Sequence, residues 1–319
     1  MTDLRPCSAI IMLLGCAFAV LSSYTPSAEG GTFTFQNNCK FTVWPGLLPN
    51  GGMPPLMDGG FELGVGQKRT FDASDGWSGR FWGRTGCNFT GSTSPSSVAC
   101  ETGDCGGKLE CSGLGAAPPA TLAEFTLASS QSDNKDFYDV SLVDGYNIPI
   151  AISPTGNPST KKYSTQHDAS QAESAVDYDC GTAGCIADLN LNCPKELQLL
   201  SDTDQSSVIG CKSACEAFQS SEYCCTGSYA NPNTCQASSY SKIFKKACPR
   251  AYSYAYDDNT STFTCTGSEF SIIFCPTSLS EENGGGRLTD LTSMRMIIHW
   301  WKSCCIFSLV YVIVSIFST

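Results

Sequence analysis

At 319 residues, with 41% hydrophobic and 15% charged side chains, the chain can bury a sizeable core as one large β domain or two modest ones. Its net charge is −11, and between residues 29 and 286 there are 15 Lys and Arg against 28 Asp and Glu, a balance near −13. That argues against a nucleic-acid or anionic-membrane binder and suits neutral or cationic ligands. Twenty cysteines beside two histidines argue against common zinc sites and against histidine-assisted nucleophiles.

In chain order, Arg5, the apolar run Ala9 to Leu21 and the small polar stretch SSYTPSAEGG have the charge, core and cleavage order of a signal peptide. Residues 1–28 are therefore expected to be removed, with cleavage between Ser23 and Glu29. The run falls short of the roughly 20 residues that a bilayer requires. Short alternating segments follow: TFTFQNN (32–38), KFTVW (40–44), GRFWGRT (79–85), LAEFTL (122–127), FYDVSLV (137–143) and TSTFTC (260–265), separated by turn signals such as NGG, DGG and DG. The class is mainly β, an antiparallel sandwich or barrel.

Residues 155–177 are polar, contain His167 and read as a long exposed loop. Helical spacing is confined to SACEAFQS (213–220) and SKIFKK (241–246), both beside cysteines. At the far end, Ile306 to Phe317 is apolar and follows SEENGGG and HWWKSCC, an order that resembles a GPI-attachment signal acting near Asn283 to Gly285. The spacer exceeds the usual length of about 8–12 residues, so a short membrane anchor beginning near Met296 stays open. Residues 277–319 thus read as a polar linker and hydrophobic tail. Asn88-Phe-Thr90 and Asn259-Thr-Ser261 are sequons, whereas Pro158 excludes Asn157.

Setting aside Cys7, Cys16, Cys304 and Cys305 leaves sixteen cysteines, an even set that reads as eight disulfides made in an oxidising compartment. Cys224 and Cys225 are adjacent, with Cα atoms about 3.8 Å apart, below the roughly 4.4–6.8 Å of ordinary disulfides. They should take different partners. The cluster CETGDCGGKLEC (100–111) reads as stapling rather than a metal or redox site.

RFWGRTGCNF (80–89), CETGDCGGKLEC, APPATLAEFTL (117–127), DFYDVSLVDGYNIPI (136–150), CPKEL (193–197), EYCCTG (222–227) and CPRAYSYAYDDNTSTFTC (248–265) resemble the thaumatin-like proteins, plant defence-related proteins. The resemblance covers about Gly31 to Pro276 and all sixteen cysteines. It implies a β-sandwich core (31–84, 120–186 and 249–276), a small disulfide-rich lobe (85–119) and a helix-containing lobe (187–248), with eight disulfides and short helices. The implied pairs are Cys39–Cys275, Cys87–Cys100, Cys105–Cys111, Cys180–Cys265, Cys185–Cys248, Cys193–Cys211, Cys215–Cys224 and Cys225–Cys235. It also implies a cleft lined by Arg80, Glu124, Asp139, Asp144 and Asp258. Asp257 adjoins Asp258, and the sequence does not separate the two.

Read from the residues alone, Glu124 and Asp139 interrupt otherwise good strands, Glu124 sharing a face with Leu122 and Thr126 and Asp139 with Ser141 and Val143. Glycosidases use two carboxyl groups about 5–9.5 Å apart. Asp139 and Asp144 would be about 16 Å apart on a straight strand, so the better pair is cross-strand, Glu124 as acid with Asp139 as base or nucleophile. The resemblance thus implies a secreted or cell-surface defence protein that binds β-1,3-glucan or a similar cell-wall polysaccharide, or a weak endo-β-1,3-glucanase. A monomer is expected, in the apoplast or anchored at the plasma membrane, with no metal, cofactor or nucleic-acid partner.

Overall fold

The computed structural model describes residues 30–90, 98–129, 135–155, 180–266 and 269–279. The expected signal peptide, nearly all of the 155–177 stretch with His167, and the C-terminal tail with His299 lie outside the described residues.

Two five-stranded sheets form the centre. The first runs β3 (Lys68–Asp72), β1 (Thr32–Asn37), β12 (Glu269–Phe274), β7 (Ile150–Pro154), β8 (Ala183–Gly184); the second runs β11 (Phe263–Cys265), β6 (Asp136–Ser141), β5 (Leu122–Thr126), β4 (Ser78–Arg84), β2 (Trp44–Pro49). The β1–β12 pair is parallel and the other neighbours are antiparallel. Period-two alternation makes the core: TFTFQN buries Phe33, Phe35 and Asn37 while its intervening residues stay half-exposed. Rings then meet between the sheets, Phe33 edge-on to Phe81 at 4.9 Å and to Phe125 at 4.8 Å, and Phe125 edge-on to Phe270 at 5.2 Å. Such pairs contribute about 0.5–1.5 kcal/mol each beyond their buried area.

Two expected strands are corrected. Within KFTVW only Trp44 belongs to β2, because residues 38–43 cross between the sheets, tied at one end by Cys39–Cys275 and at the other by the Val43–Leu63 bridge. Within TSTFTC, Thr260 and Ser261 belong instead to a one-turn helix, closed where Thr262 N–H donates to the Asp258 carbonyl at 3.2 Å.

Beyond the sheets lie a hairpin, β9 (Gln198–Leu200) and β10 (Val208–Cys211), and short helices α1 (Ala214–Phe218), α2 (Ser221–Cys224), α3 (Ser239–Ala247) and α4 (Asp258–Ser261). Ser213, Ser220 and Ser238 cap the first three, each hydroxyl accepting a first-turn N–H. Eight disulfides close the pairs Cys39–Cys275, Cys87–Cys100, Cys105–Cys111, Cys180–Cys265, Cys185–Cys248, Cys193–Cys211, Cys215–Cys224 and Cys225–Cys235.

Between β4 and β5 the described residues contain no strand; polar side chains do the organising. The Asp104 carboxylate accepts four backbone N–H groups, from Ala99 (3.0 Å), Cys100 (3.1 Å), Gly106 (2.9 Å) and Gly107 (2.8 Å). Fully buried Arg84 donates to the carbonyls of Trp44, Pro45, Lys108 and Leu109. Burial lowers its pKa to about 10, against the opposing pull of Asp104 and Glu110.

Candidate functional site

The site lies on the outer face of the second sheet. Along β4, Phe81 and Gly83 face the core, where a Cβ on Gly83 would strike Ile148 at 2.4 Å, so Arg80, Trp82 and Arg84 point outward. Trp82 is covered by the loop closed by Cys105–Cys111, packing with both cysteines and Leu122. One register step along, the face opens. Arg80 pairs with Glu124 across β4 and β5, and Glu124 pairs with Asp139 across β5 and β6. The three side chains form one row over three strands, with directly opposed neighbours about 5 Å apart at Cβ.

The rim comes from two other segments. After β6 the chain turns, with Gly145 N–H donating to the Leu142 carbonyl at 3.0 Å, and Gly145 holds φ at +87°. Asp144 therefore leaves the strand line and joins the same cleft as Asp139. Opposite, Tyr252 is docked to β6 by Tyr252 N–H to Val140 carbonyl (2.8 Å) and Leu142 N–H to Tyr252 carbonyl (2.9 Å). Its hydroxyl donates to Asp258 Oδ1 at 2.9 Å. Asp257 turns away, accepting from the Ser253 backbone (3.0 Å) and hydroxyl (2.8 Å) and pairing with Lys245 at 3.0 Å. Of the adjacent acids, Asp258 faces the cleft and Asp257 anchors the loop.

Arg80, Glu124, Asp139, Asp144 and Asp258 thus line one cleft of about 360 Å³, together with Leu122, Ser141 and Tyr252. Ser141 and Tyr252 were not singled out from the sequence. Ser141 follows from strand parity with Asp139; Tyr252 is one of three tyrosines in AYSYAYDD, which local spacing does not rank.

Burial disfavours charge on two of the cleft's acids. Burial pushes the Asp139 carboxyl up to about 8, reinforced by Glu124 and Asp258. Burial also raises Glu124, with Asp144 adding to the rise and Arg80 opposing it. Asp139 Oδ1 and Arg80 Nε are enclosed without a hydrogen-bond partner, so at that oxygen no protein donor offsets the cost of charge. Arg80, paired with Glu124 across the strands, opposes the rise there and favours the ionised form. Among the described residues, no group of His, Cys, Asp or Glu is arranged to hold a metal ion.

Carboxyls raised by burial beside a guanidinium, a phenol and a serine can offer both donors and acceptors, which matches hydroxyl groups that themselves donate and accept. The two sequon asparagines are exposed, Asn88 after β4 and Asn259 on α4 next to Asp258, while Ser261 of the second sequon is buried.

A family model described as the thaumatin family matches residues 37–276. Among curated proteins, a thaumatin-like protein 1 of Arabidopsis thaliana is 51% identical over 253 residues, covering 78% of this chain and 87% of its own. A pathogenesis-related protein 5 of the same plant is 52% identical over 244 residues, covering 76% and 90%. Among solved structures, a thaumatin-like xylanase inhibitor matches 76% of this chain and 99% of its own at 21% identity and a TM-score of 0.37, too low to bear on function.

Proposed function

The chain belongs to the thaumatin family, and from that premise we propose that it is a defence-related protein that binds β-1,3-glucan, or a closely similar neutral cell-wall polysaccharide, through the acidic cleft. The observation that carries this reading is the row Arg80–Glu124–Asp139, in which two acids are pushed toward their neutral forms at the floor of an open cleft. A charged ligand is not required to match them. Sugar hydroxyls supply donors and acceptors together, and the net negative surface repels anionic polymers.

The second reading, a weak endo-β-1,3-glucanase, is favoured by one feature: Glu124 and Asp139 are directly opposed across β5 and β6, so their Cβ atoms start about 4.5–5.5 Å apart and the carboxyls can reach the roughly 5–5.5 Å spacing used by retaining glycosidases. In that case Asp139 protonates the leaving oxygen and Glu124 attacks. Binding without turnover is preferred because burial and Asp144 also push Glu124 toward neutrality, whereas a nucleophile must be ionised.

Purified protein mixed with a soluble β-1,3-glucan separates the two. Saturable binding with no new reducing ends supports the first reading. New reducing ends that vanish in Glu124→Gln, which keeps the side chain's shape and hydrogen bonding, would replace it with the second. Absence of binding would remove both. Eight disulfides fit an extracellular protein, and cell-surface attachment through the C-terminal segment is part of the same proposal. Its test is release from membranes by a phosphatidylinositol-specific phospholipase.

A further inference from the structure

Beside the acidic cleft lies a second cavity of about 240 Å³ that shares Val143, Asp144 and Ala255 with it. The two are therefore adjacent, with Asp144 lining both. On the far side the walls are aromatic, with Tyr223, Tyr240, Phe244 and Tyr254. The Tyr223 and Tyr240 rings sit 6.0 Å apart at 79°, a corner of one face and one edge. Serines, the glutamines Gln219 and Gln236 and a further acid, Glu222, line much of the remainder, and no Lys, Arg or His does, which leaves a phosphate or uronate without a partner.

Glu216 stands in this cavity on the first turn of α1, with Oε2 enclosed and without a hydrogen-bond partner. Burial pushes its carboxyl up to about 7, with Asp144 adding to the rise and Lys212 opposing it. Asp144 also acts on Glu124, so the acidic row passes from the cleft into the second cavity through one shared residue. The volume lies below the roughly 300–1,000 Å³ typical of pockets for drug-sized ligands, which suits a single ring.

We infer that this cavity is a further subsite, in which one uncharged, hydroxyl-bearing ring of the polysaccharide bound in the cleft packs against the tyrosine corner and hydrogen-bonds to Glu216. The inference rests on the polysaccharide reading above. It predicts that affinity depends on chain length, because a short oligosaccharide fills the acidic cleft alone and a longer one also reaches Glu216.

The test is calorimetric titration of the intact protein with β-1,3-linked glucose oligosaccharides of increasing length, using wild type, Glu216→Ala and Tyr223→Ala. Wild-type affinity should climb with length. Both variants should keep the short-chain affinity, which doubles as a check on folding, and lose about tenfold for long chains, the size of one net hydrogen bond or packing contact. Variants that match wild type at every length would overturn the subsite while leaving the cleft reading intact. Failure of wild type to bind any length would overturn the cleft reading and the subsite with it.

Discussion

Replacing Asp139 by Asn should stabilise the protein, by an amount set by pH. An unfolded Asp titrates at 3.8, whereas burial and the neighbouring Glu124 and Asp258 move Asp139 to about 8 in the folded state. Between those values the folded chain holds a proton that the unfolded chain has released. Stability therefore falls as pH rises, by about 1.36 kcal/mol per unit at most. The contribution is fully present below 3.8 and is gone above about 8. At pH 7 the loss is on the order of 4 kcal/mol, roughly three units above the unfolded value. The amide has the same shape and no proton to lose. Guanidinium unfolding with the disulfides intact, followed by tryptophan fluorescence, should show wild type and Asp139→Asn nearly equal near pH 4 and separated by several kcal/mol near pH 7. Parallel pH dependence in the two proteins would refute the claim that Asp139 is held neutral.

Other perturbations address the supports of the site. Asp104→Ala removes the acceptor for four backbone N–H groups and should cost about 3 kcal/mol; hydrogen exchange at Ala99 to Gly107 should quicken, and unchanged exchange would contradict the assigned role. Gly145→Ala would set a Cβ 2.6 Å from Pro119 Cβ and 2.8 Å from the Cys211 carbonyl at a φ of +87°. A loss of roughly 2 kcal/mol or more is expected together with weaker polysaccharide binding, since Asp144 sits in this turn; wild-type melting and affinity would count against it. A glycan on Asn259 would crowd Asp258, so enzymatic deglycosylation should tighten binding, and a peptide map showing Asn259 unmodified removes that prediction.

Much of this arrangement is legible in the sequence where a local rule controls it. Alternation in TFTFQNN, LAEFTL and FYDVSLV yields strands and sides, and an acid inside each of the last two marks the outer face on which Glu124 and Asp139 meet. Ser213 at the head of SACEAF and Ser238 ahead of SKIFKK cap the helices there. What local rules do not reach depends on partners distant in the chain. KFTVW has the composition of a strand, yet it crosses between sheets because Cys39 is held at Cys275. Asp257 and Asp258 look alike until Lys245, twelve residues before Asp257, takes the first of them. The charged surroundings of Glu124 and Asp139 likewise come from distant segments, Arg80 acting on one and Asp258 on the other. Glu216 reads as an ordinary first-turn residue of a capped helix until the fold brings Asp144 beside it.

The most direct test of the central claim is a calorimetric titration with a soluble β-1,3-glucan on wild type and on Glu124→Ala and Asp139→Ala. Each alanine takes a donor–acceptor group from the floor of the cleft, and a net hydrogen bond or two corresponds to at least about tenfold in affinity. The account predicts saturable binding by wild type and that loss in both variants, with melting retained. Wild-type affinity in both alanine variants, or no heat of binding from wild type, would contradict it.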